Sequence, residues 1–254
     1  MLSPIALQLY TVRNAMSQDA EGVLRRVAEM GYIGAETGLT DQTGEPTVAR
    51  LCKHLGLQVP SVLTGFPFDD SKRAALDEVV ALGCRYVGIS WYPPEKLKTV
   101  DDVKQLCDLL NAADDIAQQH GLTMIYHNHW AEAEPMADGR TALQLLFEYT
   151  RPSVQFEIDV YWAQTGGSDP VAIVKQGDAR IPILHIKDGP AVHGKPMVAV
   201  GEGSVDIAGV VQAGEGHTQW LIVELDECAT DMLEAVEKSY RYLVEKGLGR
   251  GNKG

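Results

Sequence analysis

Residues 103–127 read VKQLCDLLNAADDIAQQHGLTMIYH, and three local signals follow one another within them. Apolar side chains recur at three- and four-residue spacing up to Ala117, the pattern of a helix with one buried face. Gly121 follows, suited to the left-handed turn that closes a helix. TMIYH (123–127) then reads as a short buried strand that ends on a polar side chain. The same order of helix, glycine and strand recurs along the chain. AEGVLRRVAEM (20–30) places Val23, Leu24, Val27 and Met30 on one stripe before Gly31, and Gly56, Gly83 and Gly247 close further helical windows. Strand-type runs lie at IALQL (5–9), GAET (34–37), QVPSVL (58–63), RYVGIS (85–90), TMIYH (123–127), VQFEID (154–159), IPILHIK (181–187) and WLIVEL (220–225). Eight β/α units with no Pro/Ser-rich linker predict an α/β fold, a single (β/α)8 TIM barrel over residues 1–247. Residues 248–254 are expected to form a flexible C-terminal tail. A doubly wound open sheet fits less well, because QLYTVRN after the first strand has no glycine with which to build a nucleotide loop.

Composition narrows the possible partners. The chain has 254 residues, about the length of one barrel, and a formal net charge of −13. Such a surface repels phosphate backbones and anionic lipid heads, so no nucleic acid and no membrane is expected as a partner. Cys52, Cys84, Cys107 and Cys228 are scattered and read as reduced thiols of a cytoplasmic protein. The opening MLSPIALQLYTVRN lacks a basic segment and is interrupted by Pro4 and Gln8, so it reads as a strand rather than a signal peptide.

Four strand-type runs end in side chains that bind metal ions: MIYHNH (124–129), FEID (156–159), ILHIKD (183–188) and VELD (223–226). His127 or His129, Asp159, His185 and Glu224 fall one or two strand–helix units apart, which places them on neighbouring strand ends of one barrel. Alternation supports the set. Ile125, His127 and His129 share a face, as do Glu157 and Asp159, His185 and Lys187, and Glu224 and Asp226. A lone histidine in a strand is usually a hydrogen-bonded core residue, and a lone Asp after a strand often caps a helix. Four such groups on consecutive strands are costly to bury without compensation, so one divalent metal ion is expected. Imidazole and carboxylate together suit Mn, with Co, Mg or Zn as alternatives.

YHNH, FEIDVYWAQTGG, LHIKDG, VGEGSVD and IVELD, with IALQLYTVRN and GYIGAE nearer the N-terminus, resemble the sugar isomerase/epimerase family of the xylose isomerase-like TIM-barrel superfamily. The resemblance spans nearly the whole chain and is more specific for the superfamily than for a substrate. Relatives there include ketose epimerases, hydroxypyruvate isomerases, inosose and dehydroshikimate dehydratases and abasic-site endonucleases. It implies one metal held by Glu, Asp, His and Glu from strands five to eight, and Asp159, His185 and Glu224 stand at the last three positions. At the first position this chain departs from the pattern. His127 stands at or beside the usual Glu, with His129 or Glu132 as alternative ligands. The family's scheme of two glutamates that shuttle a proton is therefore left with Glu224, and His129 or Glu132 as its second base.

The resemblance implies a sugar isomerase or epimerase that works through an enediolate. Glu224, His129, Glu132 and Lys187 are the expected catalytic groups, with Lys187 placed to hold the developing negative charge. Gln8, Arg13, Glu36, Trp162 and Glu202 are the expected substrate contacts. Glu202 lies inside VGEGSVD (200–206), where many barrels hold phosphate on backbone amides. A carboxylate there opposes a phosphate, so the small-molecule sugar substrate is expected to be an unphosphorylated ketose or keto-polyol. The plainer reading is a turn in which Ser204 or Asp206 caps the next helix. A metal-dependent lyase or dehydratase of a keto-inositol or a 3-keto-glycoside is the alternative on the same site. An abasic-site endonuclease fits poorly with a charge of −13, and a sugar-binding module fits poorly with an intact Asp, His and Glu set. A homodimer is expected by analogy with other barrels of the group.

Overall fold

Eight parallel strands close into a barrel in chain order: β1 (Ile5–Gln8), β2 (Gly34–Gly38), β3 (Ser61–Thr64), β4 (Tyr86–Ile89), β5 (Thr123–His127), β6 (Gln155–Asp159), β7 (Ile183–Ile186) and β8 (Trp220–Val223). β8 pairs with β1 and completes the ring. The computed structural model describes residues 1–41, 44 and 46–252. Among them no helix is long and apolar enough to cross a membrane.

The helices begin and end where local chemistry requires. Asp19 caps Ala20–Met30 by accepting a hydrogen bond from Gly22 N, and Gly31 closes the helix in the left-handed region at φ 115°. Val100–Gln119 opens with a reciprocal capping box between Thr99 and Asp102. β3 begins later than the run QVPSVL suggests. Gln58 makes only an isolated bridge to Gly34, and Pro60, which lacks an N–H, separates it from the strand proper.

The apolar side chains form two separate bodies. The larger one fills the layer between strands and helices, with Val62, Val87, Tyr126, Phe156, Leu184 and Leu221 on the outward strand face. The smaller one sits inside the barrel and consists of Ala6, Tyr86, Ile125, Ile183 and Ile222. Two residues further along the same strands come Gln8, His127, His185 and Glu224. The face that His127, His185 and Glu224 share therefore points inward. It carries an apolar plug at its base and a polar layer above. Gly88 makes room in this interior, because a Cβ there would stand 2.5 Å from Leu63 Cδ2 and 3.0 Å from Ile125 Cγ1.

The tail expected to be loose from residue 248 is, as far as Asn252, tied to the base of the barrel. Arg250 exchanges backbone hydrogen bonds with Ser3 and Ile5, and Asn252 N donates to Gly31 O. Gly249 permits the approach, since a Cβ there would meet Ile5 Cγ1 at 2.7 Å. Residues 253 and 254 of the expected tail lie outside the described residues.

Ile183 is fully buried in the interior plug. Ile183→Ala is expected to lower unfolding stability by about 2–5 kcal/mol, the usual cost of such a cavity. Urea denaturation monitored by fluorescence measures it, and a loss below about 1 kcal/mol would mean the plug repacks.

Candidate metal centre and substrate cavity

A cavity of about 430 Å³ opens at the C-terminal strand ends, with Gln8, Ser90, His127, His129, Glu224 and Asp226 among its walls. Tyr10 and Trp91 flank its mouth, 54% and 46% exposed. No Lys or Arg side chain lines it among the described residues.

One donor atom each from His127, Asp159, His185 and Glu224 lies within 4.8 Å of the others, and all four residues are buried. The barrel register brings them together. β6 sets Glu157 beside His127 on one side and Asp159 beside His185 on the other. This chemistry fits a divalent ion, since two imidazoles and two carboxylates offer mixed nitrogen and oxygen ligands. Asp159 Oδ2 is buried, and its near neighbours are Lys187 Nζ at 2.9 Å and His127 Nε2 at 3.9 Å, so this oxygen is already set against positive charge. Burial raises the Asp159 carboxyl to about 6, against the opposing pull of Lys187.

The charges around these four groups are tightly paired. Lys187 is completely buried. Its Nζ donates a hydrogen bond to Asp226 Oδ2 at 2.9 Å and lies 2.9 Å from Asp159 Oδ2 and 2.8 Å from Glu224 Oε2. Burial works against its charge, but the three carboxylates outweigh it and hold the ammonium well above its usual range. His185 is similarly enclosed, with Nδ1 2.7 Å from Glu224 and Nε2 2.8 Å from Glu36 and 3.2 Å from Glu157. Burial again opposes its charge, and Glu157, Glu36 and Glu224 overcome it and raise the ring well above the usual histidine range. Burial would raise Glu224, yet Lys187 and His185 hold its carboxylate well below the ordinary range. Beneath them Glu36 accepts hydrogen bonds from Gln8 and Ser61. Burial and the Glu36 charge raise the Glu157 carboxyl well above the ordinary carboxylate range.

His127 and His129 are the neutral imidazoles of the site. Burial, then the neighbouring His185 and His129, lowers His127 well below its ordinary value. Its Nδ1 is 3.1 Å from Glu157. Burial followed by the Lys187 charge lowers His129 to about 3. His129 lines the cavity, its Nδ1 has no hydrogen-bond partner, and its ring meets Trp91 edge-on at 5.0 Å between centroids.

Several other expected site residues do something different. Glu132 gives one oxygen to Tyr126 Oη at 2.5 Å and the other to His129 N at 3.0 Å, so it fixes the loop after β5 and does not line the cavity. Arg13 donates to the carbonyls of Tyr10 and Asp226 and stacks on the Tyr10 ring, outside the cavity wall. Trp162 backs the site rather than flooring it, with its Nε1 donating to Asp226 Oδ2 at 3.1 Å. Glu202 is exposed near Lys238. Its glycine-rich loop already holds an anion: the Asp188 carboxylate accepts from the N–H groups of Gly189, Gly201, Gly203 and Val205 at 2.8–3.1 Å. A Cβ on Gly203 would stand 2.1 Å from Asp188 Oδ1. Asp206 caps the next helix, as the plainer reading had it. Sequence reasoning passed over Glu157 and Asp226 as site residues, although both share the inward face. It also missed Trp91, whose place just beyond the end of β4 was the available signal.

The chain belongs to the xylose isomerase-like TIM barrel family, whose model matches residues 24–245. An inosose dehydratase of Geobacillus kaustophilus is 28% identical over 193 residues, 65% of this chain. The match spans 61% of that relative's length. Among solved structures, a sugar phosphate isomerase/epimerase from Parabacteroides distasonis is 25% identical, with a TM-score of 0.82 over 98% of this chain and 96% of that one. An IolI protein with a bound zinc atom shares the fold at 18% identity, with a TM-score of 0.71 over 95% of this chain and 97% of its own.

The folded His129 ring titrates near 3, whereas an unfolded histidine takes its proton near about 6.5. Between these values only the unfolded state gains a proton, so this group removes stability as pH falls from neutrality. In a nitrogen-detected NMR titration the His129 ring is expected to stay neutral from about pH 8 to pH 5. A midpoint near 6.5 would show that the ring is solvated rather than enclosed.

Proposed function

We propose that this chain is a divalent-metal-dependent enzyme that removes the proton beside the carbonyl of an unphosphorylated keto-sugar or keto-polyol and expels the β-hydroxyl as water. One observation carries the reading. An imidazole kept neutral, His129, lines a cavity whose base is a cluster of two imidazoles and two carboxylates within 4.8 Å. His127, Asp159, His185 and Glu224 would hold the ion, which when bound supplies a Lewis acid for the carbonyl oxygen.

The remaining chemistry falls to the side chains. The His129 ring takes the carbon-bound proton on Nε2, the nitrogen that is not enclosed, and becomes an imidazolium. The same ring then gives that proton to the departing hydroxyl, so carbon loses H and OH, water leaves, and His129 returns to its neutral form. Glu224 and Asp226 accept hydrogen bonds from sugar hydroxyls, and Tyr10 and Trp91 offer apolar surface to the ring at the mouth. A cavity with two carboxylates and no lysine or arginine in its wall disfavours a phosphate group. The loop amides that would otherwise bind one are taken by Asp188.

Elimination is favoured over epimerisation because epimerisation needs a second base for the opposite face. The β5 end offers a histidine there, and both oxygens of Glu132 are already bonded. The inosose dehydratase relative agrees with this choice. The similarity to a sugar phosphate isomerase/epimerase over nearly the whole chain supports the second reading, an isomerase in which His129 returns the proton to carbon.

Incubation with Mn(II) and a panel of free inososes and ketoses in deuterium oxide separates the two. Formation of an unsaturated product is expected, and solvent deuterium in an intact sugar would favour isomerisation instead. Asp159→Asn is expected to lose bound metal, and unchanged metal content would remove Asp159 from the ligand set. His129→Gln is expected to keep the metal and lose about 10²–10⁴-fold in kcat, the usual share of a general base. A near-normal kcat would transfer the proton to another group.

A further inference from the structure

Lys187 was expected to touch substrate, yet its side chain is completely buried and lies outside the cavity wall. Its ammonium sits behind Glu224 and Asp226, which do line the cavity. Two of its three carboxylate neighbours, Asp159 and Glu224, belong to the proposed metal set. The third, Asp226, does not, and it receives the lysine's hydrogen bond. Trp162 Nε1 donates to the same Asp226 oxygen, and the Trp162 ring lies 5.8 Å from Nζ. Lys187 thus has one anchorage shared with the metal ligands and another independent of them.

We propose that Lys187 is a built-in counter-cation of the metal centre. It holds Asp159 and Glu224 together when no ion is present and retires onto Asp226 and the Trp162 ring when an ion takes them. The inference rests on the metal reading given above. Two carboxylates packed this closely inside a protein repel one another unless a positive charge stands between them. The ammonium supplies that charge and preforms the site. It also repels an incoming divalent ion over a few ångströms of low-dielectric interior, so the metal is held less tightly than the ligands alone would allow.

The test compares wild type with Lys187→Met, each metal-stripped and then titrated with Mn(II) at pH 8, by calorimetry and thermal unfolding. Wild type is expected to bind one Mn(II) per chain with a small rise in Tm. Metal-stripped K187M is expected to melt several degrees lower, to be restored by Mn(II), and to bind it at least about tenfold more tightly. If wild type binds Mn(II) while K187M binds it no more tightly and shows the same metal-induced rise, the counter-cation role is overturned and the metal reading stands. If wild type binds no divalent ion, the metal reading itself fails and takes this inference with it. Should K187M fail to fold even with Mn(II), Asp226→Asn decides. Loss of the independent anchor leaves the ammonium on Asp159 and Glu224, and Mn(II) binding is expected to weaken several-fold. An unchanged affinity in D226N overturns the proposal.

Discussion

Charge balance in a space closed to water is the constraint on which this molecule turns. Glu36, Glu157, Asp159 and Glu224 project into the barrel interior, where an uncompensated carboxylate is very costly. The chain compensates them in three ways. Lys187 and His185 are shifted toward their charged forms, Glu157 is shifted toward its neutral form, and Gln8 and Ser61 donate hydrogen bonds to Glu36. The apolar plug beneath excludes solvent from below and strengthens every pairing above it. A network of this kind restricts side-chain positions, because each buried charged group must keep a partner wherever it sits.

That constraint also shapes the cavity. With the positive groups buried behind the wall, the surface a ligand meets is made of carboxylates, neutral imidazoles and aromatic rings. Hydroxyl groups and C–H faces suit it better than anions do. His129 is kept neutral by its enclosure and by the lysine charge nearby. Its position is in turn set by Glu132, which bonds its backbone amide from behind. A residue that looked catalytic by composition therefore serves to aim one that lines the cavity.

The strand positions were readable in the sequence because a barrel strand must alternate, and the alternation survives even where the residues are charged. Ile125–His127, Ile183–His185 and Ile222–Glu224 are three repetitions of one pattern, apolar below and polar above, and the structure brings their polar members together. The loops were not readable in the same way. Glu132, Arg13 and Glu202 lie outside the strands, where no period fixes direction, and each turned out to bond backbone groups or to face solvent. Trp91 was missed for the same reason, since it stands just beyond the end of β4, whereas Asp226 shares the face of Glu224 and was passed over. Lys187 was placed on the correct face, but its depth depends on three carboxylates at the ends of β6 and β8, a convergence that spacing cannot show. The tail was expected to be loose because chain ends usually are, whereas Gly249 lets the chain approach Ile5 and Arg250 bonds to Ser3 and Ile5.

The Asp188 carboxylate in the glycine-rich loop has a further consequence. An anion-binding turn in many barrels stays loosely organised until its ligand arrives, and part of the binding free energy is then used to order it. Here the anion belongs to the chain itself and accepts four backbone N–H groups. The segment after β7 thus loses its conformational freedom once, during folding.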